Sequence, residues 1–219
     1  LKGIKPSELR GLKLVQARVE KVKSFRETSK KVPTQKAAAY STLFAEVRQP
    51  VENYIVIPQH SSERRSYIPF GYMSSKSIAH NSVSFIEVGE KYPFGIITSL
   101  MHMVWVKYTC GRIKSDFRYS NTLVYNNFPW PKKPTTAQKK QVEQKAQAVL
   151  DARALYPNSS LADLYDPLTM PPELVKAHQA LDKAVDKCYR GKAFNSETER
   201  IEFLFELYGE YLEEQKGAS

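Results

Sequence analysis

Between residues 94 and 131 the hydrophobic pattern of this chain changes period, and the change dictates which kind of element follows which. Phe94, Ile97, Met101, Trp105 and Tyr108 recur at steps of three and four residues, the spacing of one helical face. Gly111 then predicts a helix end in the left-handed conformation, which glycine enters cheaply. Beyond it Arg112, Lys114, Asp116 and Arg118 share one parity, while Ile113, Phe117 and Tyr119 share the other. A period of two predicts one strand with four charges on a single face. A core helix that hands over to a charged strand implies an α+β fold.

The charged row has a chemical reading. Lysine and arginine donate to the two acceptors that guanine shows in the major groove, and aspartate accepts from the cytosine amine. Lys114 and Asp116, two residues apart on one strand face, suit a single G·C pair. Spacing alone points first to the solvated face of an edge strand.

The rest of the chain divides around this stretch. Residues 1–50 predict a helical connector: Ser7 is placed to cap a helix in which Leu12, Val15, Val19 and Val22 form a seam and Arg10, Lys13, Arg18, Lys21, Lys23 and Arg26 a basic face. A second helix is expected from Pro33-Thr34 to about Arg48. Residues 51–131 predict a mixed domain with strands at Tyr54–Ile57, around Tyr67–Phe70 and at Val83–Val88, the last turned by Gly89. Phe128 and Trp130 are read as core seals. Residues 132–219 predict helices only. Thr135 with Gln138, and Ser196 with Glu199, are capping-box signatures. Leu174, Ala177, Leu181, Val185 and Cys188 mark one buried face; Ile201, Leu204, Phe205, Tyr208, Tyr211 and Leu212 mark another.

Charge is distributed unevenly. The chain has a formal charge of +10, and residues 1–133 hold 22 of its 33 Lys and Arg but only 9 of its 23 Asp and Glu. A basic front and an acidic rear suggest a polyanion that meets one part of the molecule, nucleic acid being the first candidate. Cys110 and Cys188 sit far apart on apolar helical positions, which predicts reduced thiols and a cytoplasmic protein. No apolar run has spanning length, so no membrane partner is expected. The chain opens on L-K-G-I-K without Met and reads as part of a longer polypeptide.

Catalytic signatures are missing. There is no glycine-rich methyl-donor turn and no N-P-P-F/Y loop; N-N-F-P-W-P departs from it at the proline that must follow asparagine. Glu143-Gln144-Lys145 is an E-x-K on a predicted surface helix without an acidic partner, and the four histidines lack metal-type spacing. No catalytic residue, bound cofactor or metal is expected in this chain, and His102 is expected to be a hydrogen-bonded core residue.

Three long motifs carry a resemblance. C-G-R-I-K-S-D-F-R-Y-S with V-Y-N-N-F-P-W-P, S-S-E-R-R-S-Y-I-P-F-G-Y at 61–72, and A-D-L-Y-D-P-L-T-M-P-P-E-L at 162–174 resemble the recognition and C-terminal regions of MmeI-like (type IIL) restriction–modification enzymes. Those are single chains with a nuclease, an adenine methyltransferase, a target-recognition domain and a helical region. The resemblance implies that Lys114, Asp116 and Arg118 read bases beside the modified adenine, with Ser82 in the preceding loop near a further contact. It implies phosphate contacts from Ser61, Ser62, Arg64, Arg65, Arg112 and Tyr119. The implied partners are double-stranded DNA and the methyltransferase domain of the same chain. The whole enzyme would use S-adenosylmethionine, and Mg for cleavage, in a prokaryotic cytoplasm. Two other readings remain: a protein-interaction subunit with a basic docking surface, and an enzyme with an unfamiliar site.

Overall fold

The computed structural model describes residues 1–87 and 90–217, and the chain separates into two compact units, Leu1–Gln49 and Pro50–Ser219. The expected last residue of the strand at Val83–Val88 and its turn at Gly89 lie outside the described residues.

In the first unit the expected long helix is broken at Leu12 into α1 (Pro6–Gly11) and α2 (Lys13–Glu27). Ser7 is not the cap. Pro6, which has no N–H to satisfy, takes the first helical position, and Glu8 accepts from the Lys5 N–H at 3.0 Å. The seam is only partly covered: Val15 and Val19 are half-buried, Leu12 and Val22 exposed. The second helix is also shorter than expected, α3 (Val32–Lys36) passing into a 3-10 turn at Ala37–Tyr40. Arg26 explains the fold-back. Its guanidinium donates to the carbonyls of Ala37 (2.9 Å), Tyr40 (3.1 Å) and Leu43 (2.9 Å), so a residue read as part of a basic face serves as an internal clamp.

The second unit builds two small sheets on one continuous segment. β1 (Tyr54–Pro58) is the centre of an antiparallel sheet between β3 (Gly71–Met73) and β4 (Val83–Ile86). After Gln59 the same chain becomes β2 (His60–Ser61), which joins a second sheet in the order β2-β6-β5. Residues 67–70 do not form the expected strand. Pro69 cannot donate to a ladder, and the Phe70 N–H turns back to the Ile68 carbonyl at 2.9 Å.

The core helix is likewise two helices, α4 (Lys91–Thr98) and α5 (Leu100–Thr109). Ser99 between them is extended and bonds its own hydroxyl to the Ile96 carbonyl at 2.6 Å, so it caps nothing ahead. Asp182 supplies the cap: one carboxylate oxygen accepts the Leu100 N–H at 2.7 Å and the other the Tyr67 hydroxyl at 2.6 Å. Burial raises the Asp182 carboxyl to about 6. Trp105 on α5 donates to the Val124 carbonyl at 3.1 Å, in a π-helical turn at Asn121–Tyr125.

Four helices complete the unit: α6 (Thr136–Ala154), α7 (Leu161–Leu164), α8 (Pro172–Tyr189) and α9 (Glu197–Gly217). They share one hydrophobic core with the strand region, from Ile55 and Phe117 through Trp105 to Leu174 and Leu204. The approach of α4 to α6 requires Gly95. A Cβ there would lie 2.6 Å from Val142 Cγ1 and 3.2 Å from the Ala146 Cβ. On α9 the buried apolar positions are Ile201, Leu204 and Leu207; Phe205 and Leu212 are exposed, although Phe205 and Tyr208 keep their rings 5.5 and 5.7 Å from that of Trp105. Phe128 is buried and Trp130 stands edge-on to it at 5.6 Å, while Tyr189 and Tyr211 donate to the carbonyls of Pro129 and Trp130. That segment packs, as its sequence predicts.

Candidate nucleic-acid interface

The charged row is not one strand. It folds into a hairpin of β5 (Gly111–Ile113) and β6 (Asp116–Arg118), turned at Lys114-Ser115. Lys114 sits at φ 55°, the one non-glycine residue at positive φ among those described. Gly111 is not in the left-handed region; α5 ends through an extended Cys110 (φ −75°, ψ 139°), and Gly111 is already in the strand.

The two-residue turn reverses the expected parity. Directly paired residues share a face, and Arg112 pairs with Phe117, while Ile113 pairs with Asp116 and Gly111 with Arg118. Arg112 is therefore on the face of the buried Phe117, opposite to Asp116 and Arg118. The outer face carries Asp116 and Arg118, with His60 of β2 paired to Arg118 and Lys114 at the tip. All four are exposed, and His60, Lys114 and Arg118 have no side-chain hydrogen bond or ion pair among the described residues.

Arg112 is fully engaged. Its guanidinium lies 4.2 Å from the Phe117 ring centroid, donates to the carbonyls of Ser115 (2.8 Å) and Lys107 (3.3 Å), and stands 3.6 Å from the Glu63 carboxylate. The Glu63 N–H in turn donates to one oxygen of Asp116 at 3.2 Å. Through that contact the loop after β2, with Ser62, Arg64 and Arg65, is tied to the hairpin. The Arg64 and Arg65 side chains have no partner among the described residues; the Ser62 hydroxyl accepts weakly from the Arg64 N–H. Ser82 stands before β4, where the Pro58–Val83 pair places it beside Gln59 at the junction of the sheets. Its hydroxyl is 3.0 Å from His80 Nδ1.

Two expected phosphate ligands are turned inward. Tyr119 is buried with its hydroxyl 2.8 Å from His102 Nε2, and burial holds that phenol far above its ordinary range and the imidazole down at about 3. Ser61 is buried against Phe117 in the register, its hydroxyl unpartnered among the described residues. Neither offers an oxygen to solvent. Phe117 and Tyr119 instead plant the central strand β6 and its exit in the core, with His102 as the hydrogen-bonded core residue its apolar helix predicts. Glu63 in its polar turn reads as a partner for an arginine, and the structure gives it Arg112; the place of His60 opposite Arg118 shows only in the cross-strand pairing.

Among the described residues no group of acidic, histidine or cysteine side chains could hold a metal, and no helix is long and apolar enough to cross a membrane. The profile for the MmeI target recognition domain matches residues 1–132, and that for the MmeI C-terminal domain residues 134–215. The chain belongs to the MmeI family.

A DNA methyltransferase A from Bacillus subtilis (strain 168) is 40% identical over 213 residues, which is 97% of this chain and 24% of that protein. A solved structure of the type IIL restriction-modification enzyme MmeI in complex with DNA is 47% identical with a TM-score of 0.85, over 96% of this chain and 28% of that one. The chain thus spans about a quarter of the length of each, and corresponds to the target recognition and C-terminal parts of an MmeI-type protein.

Proposed function

We propose that this chain is the double-stranded DNA recognition module of a longer restriction–modification enzyme, with the outer face of the hairpin reading base edges. The observation that carries this is one hairpin with an exposed donor at its tip, an exposed carboxylate on its outer face and an arginine two residues further along. Lys114 suits the O6 and N7 acceptors of guanine. Asp116, with one oxygen taken by the Glu63 N–H, keeps the other for the amine of the paired cytosine. Arg118 extends the reading along the strand, and Ser82 stands at the neighbouring junction. Arg64, Arg65 and the Ser62 loop supply phosphate contacts, which position a protein without reading sequence.

The whole protein, by its likeness to a DNA methyltransferase and to MmeI, would methylate adenine with S-adenosylmethionine and cut DNA with Mg, in a prokaryotic cytoplasm. Leu14, Phe25, Phe44 and Val47, all exposed in the first unit, support docking of that unit on the methyltransferase part of the same polypeptide.

The test is selection from a randomised duplex pool by the purified chain at two salt concentrations. An enriched motif with a fixed G·C pair, lost when Lys114 and Asp116 are replaced, is the expected result. Salt-sensitive binding without a motif would reject base reading by this chain. A tight protein complex with no DNA affinity at low salt would favour the interaction-subunit reading.

A further inference from the structure

We infer that Arg112 and Glu63 are specificity-positioning residues: together they fix the geometry of the Lys114-Ser115 turn and the orientation of the Asp116 carboxylate. This rests on the proposed reading of bases by the hairpin.

Lys114 occupies a conformation that L-residues with a Cβ disfavour, at φ 55° and without a glycine beside it. Such a turn persists only where its surroundings over-determine it. Here the surroundings are one guanidinium. Arg112 reaches across its own hairpin to the Ser115 carbonyl, pins it against the end of α5 through the Lys107 carbonyl, and lies over the ring of Phe117, which is fixed in the core. The fork geometry of arginine is what allows these contacts from one planar group; a lysine would keep the charge and lose the fork.

Glu63 completes the frame from the other side. Its carboxylate faces the Arg112 guanidinium at 3.6 Å, and its backbone N–H holds Asp116 at 3.2 Å. The side chains of Arg112 and Glu63 are 37% and 44% exposed, so the ion pair alone is weak. Its use is to bring the loop to a place where a backbone donor aims Asp116. A carboxylate aimed in advance loses less freedom when it accepts from a base.

The alternative role for Arg112 is the phosphate contact expected from sequence, and the two are separable. The full chain is compared with Arg112→Lys, Glu63→Gln and the double variant Lys114→Glu/Asp116→Arg. Affinities are measured for the selected duplex and for a scrambled duplex of equal length. Arg112→Lys keeps the charge, so scrambled-duplex affinity stays the same, while the ratio of selected to scrambled affinity falls by about tenfold, within the range of one good base contact. Glu63→Gln lowers the ratio without raising either affinity. Retention of the ratio in Arg112→Lys, or a gain on both duplexes in Glu63→Gln, would make Arg112 a phosphate ligand and overturn the inference. The double variant tests the underlying reading: an unchanged motif there rejects base reading itself, whereas a changed motif with a normal Arg112→Lys ratio rejects only the positioning role. A readout independent of DNA is the short amide-to-Hα distance of a left-handed Lys114 in NMR spectra. It is lost in Arg112→Lys if the fork holds the turn, and its retention counts against the inference.

Discussion

Replacement of Asp182 by asparagine tests how the break between α4 and α5 is held. The carboxyl is buried and accepts from both the Leu100 N–H and the Tyr67 hydroxyl, and desolvation raises it from 3.8 to about 6 despite those two bonds. A carboxyl raised on folding is protonated more readily in the folded than in the unfolded chain. Its contribution is therefore most favourable below the unfolded value near 3.8 and is lost as pH rises through the folded value near 6. From 3.8 to about 6 the loss amounts to about 3 kcal/mol at 1.36 kcal/mol per pH unit. The asparagine side chain in Asp182→Asn would present the same shape, accept from Leu100 and donate to the Tyr67 oxygen, with no charge to lose. Urea unfolding of both proteins from pH 4 to 7.5 isolates the effect, because the other carboxylates titrate in both. The expected difference is a fall of about 2 kcal/mol in wild-type stability relative to Asp182→Asn across that range. Parallel profiles would show that Asp182 is not desolvated as its position requires. Asp182→Leu, which leaves the Leu100 N–H and the Tyr67 hydroxyl unpaired, should instead lower stability at every pH by about 2 kcal/mol or more.

Three further outcomes follow from the geometry. Gly95→Ala should destabilise by about 1–2 kcal/mol in chemical denaturation, since a Cβ 2.6 Å from Val142 Cγ1 forces overpacking that exceeds the helix-propensity gain; the cost should shrink in a Val142→Ala background, and additive effects would refute the clash. Gly111→Ala should change stability by less than about 0.5 kcal/mol, because no left-handed conformation is needed and the nearest atom to the new Cβ would be the Arg118 carbonyl oxygen at 3.9 Å; a larger loss of thermal stability would contradict the strand assignment. On the proposed function, exchange of Lys114 and Asp116 for Glu and Arg in the whole protein should invert one base pair of the motif it would methylate, with about 1–3 kcal/mol of discrimination behind it; sequencing of modified sites that shows the original motif would reject the assignment.

What was legible in the sequence was local. Thr135 accepts from the Gln138 N–H at 3.2 Å and the Gln138 side chain returns the bond at 2.8 Å, because a capping box needs only neighbours. Ser196 likewise accepts from Glu199, although the Glu199 carboxylate takes the Asn195 N–H instead of closing the box. The buried face of α8 follows its periodicity, and three of the four charged groups of the row share the outer face and tip of one hairpin. What was not legible depended on distant partners or on a turn without its usual marker. The break at Ser99 is stabilised by a carboxylate 82 residues away from Leu100. The hairpin hides because its left-handed residue is lysine rather than the glycine or asparagine that normally announces such a turn. That single turn moved Arg112 to the face of Phe117, where its guanidinium meets the carbonyls of Ser115 and Lys107.

Alternation on β6 gives the outer residues an unusual independence. Phe117 and Tyr119 anchor the strand through buried rings, while Asp116 and Arg118 are exposed. Mutation at position 118 is therefore nearly free of folding consequences and at 116 loses one exposed bond from the Glu63 N–H, whereas a change of one atom at 117 or 119 is felt throughout the shared core. Within a single strand, half the residues can diverge and half are held. A lineage can explore new surface chemistry at this hairpin by single substitutions, without passing through unfolded intermediates.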